Sequence, residues 1–143
     1  MARGVARLLL RHDCLAVPEV SLGNGRRADL FALCPMGLIT IVEIKVSRAD
    51  LLGDGKWRDY LDHCDRFFWA VPQGFDLTLF DREDLLPEGT GLIVADRYDA
   101  AMLRDAPPIA LSAARRKAET LALARRAARR LLVTMGVGDG LEA

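Results

Sequence analysis

Three rhythms of apolar residues succeed one another along the chain. From about Ala2 to His12, Val5, Leu8, Leu9 and His12 share one helical face and Arg3, Arg7 and Arg11 share another, which predicts an amphipathic helix packed by its leucines. After Pro18 the pattern becomes that of strands. EVSL runs into the turn residues Gly23, Asn24 and Gly25, and RRADLFAL leaves them, which reads as a hairpin. Pro35, Met36 and Gly37 make a second turn. Leu38 to Val46, LITIVEIKV, is rich in Ile and Val on both faces, as expected of a central strand covered on both sides.

Ser47 to His63 loses strand character, with turn residues at Gly53 and Gly55 before a helical stretch around KWRDYLDHCD. Arg66 to Val71, RFFWAV, is a short strand stopped by Pro72, and a strand after a helix predicts a crossover to a parallel position. The predicted order is αβββαβ, an α/β fold with a mixed central sheet flanked by helices. Beyond an irregular acidic connector, Asp76 to Gly91, the segments GLIVAD and AAMLRDA read as an added C-terminal hairpin at a sheet edge, ended by Pro107 and Pro108. Leu111 to Met135 is a long basic helix with Ser112 as its cap and Gly136 as its stop. Ala114, Ala118, Leu121, Ala128, Leu131 and Met135 give it a narrow apolar stripe, and Arg115, Arg126, Arg129 and Arg130 gather on about a third of its circumference. The expectation is one domain over residues 1–135 and a flexible tail over 136–143.

At 143 residues and 51% hydrophobic content, the chain suits a single core and excludes collagen-like, disulfide-dense and broadly disordered classes. Its 20 basic and 20 acidic residues cancel, so net charge points to no polyanion. The distribution says more: residues 112–135 hold seven basic groups and one acid. A neutral protein with one strongly basic segment still presents a local potential that attracts phosphate. Cys14, Cys34 and Cys64 show no C-x-x-C spacing and stand with only His12 and His63, which predicts reduced, mostly buried thiols in a cytoplasmic protein, without a disulfide framework or zinc site. The N-terminal arginines are not those of a signal peptide, and no apolar run approaches the roughly 18 residues of a membrane span.

Two opposite charges, Glu43 and Lys45, interrupt the apolar central strand and, two residues apart, point to one face. Such charges cost several kcal/mol to bury unless paired or solvated. Taken alone, the triplet reads as a same-face salt bridge at the strand's end. Asp29, inside the apolar ADLFAL, changes the picture, because the short turn after it brings its strand antiparallel beside Leu38 to Val46. Two acids and a base then converge at one end of neighbouring strands. Two carboxylates can hold Mg2+ or Mn2+ and leave positions for water and a phosphate oxygen. A lysine can position that water, favour its deprotonation and offset charge developing on phosphorus. On the following helix, Lys56 and Tyr60 are four apart, and an inward-facing phosphate contact competes there with simple packing.

With Asp29 on the second strand and Glu43-Ile44-Lys45 on the third, the chain resembles the PD-(D/E)XK nuclease superfamily of restriction-endonuclease-like fold. The wider pattern is RRADLFAL, ITIVEIKVSRADLLGDGKWRDYLDHCDRFFWAVP, GLIVADRYDA and an Arg-rich terminal helix. It resembles bacterial MmcB-type DNA repair proteins from Arg3 to about Leu132. The resemblance implies metal-dependent hydrolysis of DNA phosphodiesters. Asp29 and Glu43 would be metal ligands, joined by the Ile44 carbonyl and by Glu19, and Lys45 would be the base or electrostatic stabiliser. Ala28 stands where the motif's name has proline. Lys56, Arg115, Arg126, Arg129 and Arg130 are candidate DNA contacts, and other repair proteins are candidate partners. A DNA- or partner-binding module that cleaves slowly or not at all is the competing reading, and a purely structural salt-bridged domain is the third.

Overall fold

A computed structural model describes residues 1–138. Its elements are α1 (Ala2–Arg11), β1 (Leu15–Ser21), β2 (Arg27–Leu33), β3 (Ile39–Ile44), α2 (Arg48–Leu52), a 3₁₀ segment (Trp57–His63), β4 (Arg66–Val71), β5 (Gly91–Ala95), β6 (Ala100–Arg104) and α3 (Ala113–Thr134). The expected tail lies, for residues 139–143, outside the described residues. The strands form one mixed sheet in sequence order. β1, β2 and β3 pair antiparallel, β4 and β5 join in parallel, and β6 returns antiparallel as the edge hairpin.

Alternation along the strands builds a core on each face. Phe31, Ile39, Ile41, Phe67 and Trp69 pack under the 3₁₀ segment and against Leu123 of α3. Leu30, Val42, Phe68 and Ile93 pack on the other face against Val5, Leu8 and Leu9 of α1. β3 is therefore covered on both sides, as its Ile- and Val-rich sequence requires.

Four features differ from the expectations. β1 begins at Leu15 and carries Pro18 in its interior, which is tolerated because β1 is an edge strand with no ladder bond to lose on its outer side. A short helix, α2, occupies the stretch expected to be turn, started by Ser47, whose Oγ accepts the Asp50 N–H at 3.1 Å. KWRDYLDHCD winds as 3₁₀, so its period of three buries Trp57, Tyr60 and His63 while Lys56 stays exposed. Lys56 and Tyr60 thus share no face. Finally, the three thiols are not all reduced: Leu15 pairs with Leu33, so Cys14 comes opposite Cys34, and the two form a disulfide while Cys64 stays free and buried. Strand register, not sequence spacing, brings that pair together.

Gly4 sets how closely α1 approaches the β5–β6 turn, since a Cβ there would lie 2.2 Å from the Asp96 carbonyl oxygen and 2.5 Å from that of Asp99. Gly4→Ala is expected to destabilise the fold by about 1–3 kcal/mol, as overpacking does. A lowered urea midpoint at unchanged m-value would show it.

Candidate active site

The β2–β3 ladder runs from Leu33↔Ile39 to Leu30↔Val42. At the next step two carboxylates take over from backbone carbonyls. Asp29 N–H donates to Glu43 Oε2 at 2.8 Å, and Ile44 N–H donates to Asp29 Oδ2 at 2.7 Å. Strand alternation places Asp29 on the face of Phe31, and Glu43 and Lys45 on the face of Ile39 and Ile41, toward the 3₁₀ segment. Glu43 is 4% exposed and Lys45 8%. The Lys45 N–H donates to the Ala70 carbonyl at 2.9 Å, so pairing with β4 continues past the end of β3 and holds the lysine's backbone in place.

Burial, and after it the Asp29 charge, push the Glu43 carboxyl up to about 8. Burial raises Asp29 as well, against the bond from Ile44 and the Lys45 charge. Lys45 does not pair with Glu43. Its Nζ donates to Asp54 Oδ2 at 2.8 Å and lies 3.8 Å from Asp50 Oδ1. Asp54 is itself fixed by the Lys56 N–H, donated to Oδ1 at 3.1 Å. Tyr60 closes the site from the 3₁₀ segment: its hydroxyl donates to the Arg27 carbonyl at 2.9 Å, and burial, then the Glu43 charge, raise it well above the usual phenol range.

The residues present fit a divalent cation. Asp29 and Glu43 each accept a backbone N–H on one oxygen, and carboxylate and carbonyl oxygens are the hard donors that Mg2+ and Mn2+ take. Around Lys45 stand the carboxyls of Asp29, Glu43, Asp50 and Asp54, an excess of acidic groups whose ionised forms a bound cation would favour. Among the described residues no three His, Cys, Asp or Glu side chains gather as a metal set. Glu19, opposite Asp29 in register, is exposed and takes a left-handed φ of 51°.

The arginines divide. Arg130 donates through Nη1 to the Pro18 carbonyl and through Nη2 to the Glu19 carbonyl, closing the outer edge of β1. It is committed to the protein. α3 therefore passes β1 at the level of Glu19, one strand away from Asp29, with Arg126 half-buried one turn earlier and Arg129 exposed. Arg115 lies about 22 Å back along the helix. It lines a recess of about 480 Å³ with Asp59, Asp62 and His63, away from the two carboxylates.

What holds α3 in this position has no signal in the sequence. Asp65, before β4, accepts the N–H of Ile39 at 2.8 Å and of Leu111 at 2.9 Å, and both Nη atoms of Arg116 at 2.7 and 2.6 Å. Burial works to raise its carboxyl, but Arg116 and the two backbone donors outweigh it and hold Asp65 below its ordinary value. A second clamp joins buried His63 Nδ1 to buried Glu119 Oε1 at 2.5 Å.

A family model described as DNA repair protein MmcB-like matches residues 1–136. A solved protein of unknown function from Silicibacter pomeroyi is 44% identical and superposes with a TM-score of 0.81, the match covering 99% of this chain and 92% of that one. No curated protein matches. Among the described residues no helix is long and apolar enough to cross a membrane.

Proposed function

Since the chain belongs to the DNA repair protein MmcB-like family, we propose that its task in repair is hydrolysis of DNA phosphodiesters at Asp29, Glu43 and Lys45, on a restriction-endonuclease-like core. The observation that carries this reading is the convergence of the half-buried Asp29 carboxylate, the buried Glu43 carboxylate and a buried ammonium at one end of otherwise apolar strands. The run α1, β1, β2, β3, α2, β4 follows the αβββαβ order of that core and supports it.

Asp29 and Glu43, with the Ile44 carbonyl, would hold Mg2+ or Mn2+, which when bound supplies Lewis acidity and lowers the pKa of water. Lys45 orients the attacking water toward phosphorus and offsets charge on the phosphoryl oxygens, and the bridging sugar oxygen leaves in line. Asp54 keeps the ammonium on station. Arg126 and Arg129, at the end of α3 nearest the site, contact backbone phosphates of the bound strand.

The test is incubation of single-stranded, flapped and damaged DNA with the protein and Mg2+ or Mn2+. Cleavage that chelation abolishes supports the reading. DNA binding with neither cleavage nor metal uptake would replace it with a binding module. A further expected result concerns Arg126→Gln with Arg129→Gln: DNA affinity falls for all sequences, and the slope of log K against log salt flattens by up to about 0.9 for each duplex phosphate the variant no longer neutralises. A salt titration of wild type and double variant measures it.

A further inference from the structure

α3 turns its apolar stripe away from the protein, and on the outward side Leu132 rather than the expected Leu131 lies in line with it. Its buried side chains are Glu119 and Leu123, with Arg116, Thr120, Arg126 and Arg130 half-buried on the same side. The opposite side carries Ala114, Ala118, Leu121, Ala128, Leu132 and Met135, all exposed and, with Arg125 filling the one gap, spaced alternately by four and three residues. Leu121 is 55% exposed, Leu132 38% and Met135 64%. That alternation is the 3.5-residue period of a coiled-coil seam, sustained over about three heptads. A solvated helix face has no need of it, and an exposed apolar stripe of this length marks an interaction surface.

The occupant follows from period, size and charge. A seam of this period accepts the knobs of another helix, and the alanines let the two backbones approach closely. Lys117, Arg125 and Arg129 border or enter the seam and are exposed. The only acid on α3 is Glu119, buried and bound to His63. A second copy would therefore set basic flank against basic flank. We propose that this face docks an amphipathic α-helix of a partner protein whose seam is apolar and whose flanks are acidic. The proposal does not rest on nuclease activity, because the seam lies on the side of α3 opposite the residues that meet the sheet.

The intact protein is titrated, by fluorescence anisotropy, into two dye-labelled synthetic helical peptides with the same Leu/Ala seam, one flanked by glutamates and one by lysines. It is also titrated with phosphatidylglycerol vesicles, and its sedimentation is measured alone. Saturable binding of the glutamate peptide is expected, weakened at least tenfold by Leu121→Ser with Leu132→Ser and again by Arg125→Glu, at unchanged melting temperature. No binding of the glutamate peptide, equal binding of the lysine peptide, or full binding by the serine variant overturns the proposal. Vesicle binding lost in the serine variant would assign the face to a lipid surface instead, and a dimer lost in that variant would assign it to a second copy.

Discussion

Lys45→Ala is expected to lower divalent-dependent DNA cleavage by roughly 10²- to 10⁴-fold, the range for loss of one positioned proton-transfer or charge-stabilising group. The ammonium is held by Asp54 and its backbone by the Ala70 carbonyl, which fixes this cation beside the carboxylates. Lys45→Arg is expected to rescue little. The planar guanidinium would pair readily with Asp54 but stays protonated and so cannot take a proton from the water. Asp29→Asn and Glu43→Gln should abolish cleavage through loss of the metal, while Glu43→Gln leaves stability unchanged or raised, because burial pushes the Glu43 carboxyl up to about 8 and glutamine is the neutral isostere of its protonated form. Cleavage rates and melting curves of the four variants together separate loss of chemistry from loss of fold. Wild-type rates in Lys45→Ala and Asp29→Asn would remove the assignment.

The largest expected effect on stability lies at the other end of the sheet. Asp65→Ala should cost about 3–5 kcal/mol, the cost of breaking a buried ion pair and leaving its partners uncompensated. The Asp65 side chain is fully buried, and its loss strands the N–H groups of Ile39 and Leu111 as well as Arg116, whose side chain is 25% exposed. The clamp ties β3, β4 and α3 together, so α3 would loosen first and the edge of β1 would lose Arg130. The pH dependence has a definite sign. Asp65 is depressed in the folded state, so its stabilisation is complete above its ordinary value of 3.8 and drains as pH falls from there toward the lower folded value. Asp65→Asn should flatten that acid limb. Urea unfolding at neutral pH and at about pH 3 reads both effects, and a wild-type acid limb in Asp65→Asn would contradict the clamp.

Legibility in the sequence followed the reach of each interaction. Strand and helix order was readable because apolar period is local, and the convergence of Asp29, Glu43 and Lys45 was readable because one short turn fixes the β2–β3 register. Interactions spanning long separations left no trace: Asp65 and Arg116 are 51 residues apart, and His63 and Glu119 are 56. The Cys14–Cys34 pair was hidden although only 20 residues separate its members, because it depends on β1 starting three residues before Pro18. The helical phase that Tyr60 would share with Lys56 is not provided by the 3₁₀ winding; Tyr60 meets the site through the phase shared with Trp57 and His63. Asp54 has no sequence signal as the holder of Lys45, because the same-face pairing with Glu43 is the nearer expectation. Four acids around one lysine make the longer reach the better one.

The proposed chemistry requires that Asp29 and Glu43 form a divalent-cation site serving Lys45. A crystal of the protein soaked in Mn2+, with anomalous scattering collected at the manganese edge, tests it most directly. One manganese peak is expected between the Asp29 and Glu43 carboxylates beside the Ile44 carbonyl, absent from crystals of Glu43→Gln. An empty position there, or a peak unchanged by Glu43→Gln, would contradict it.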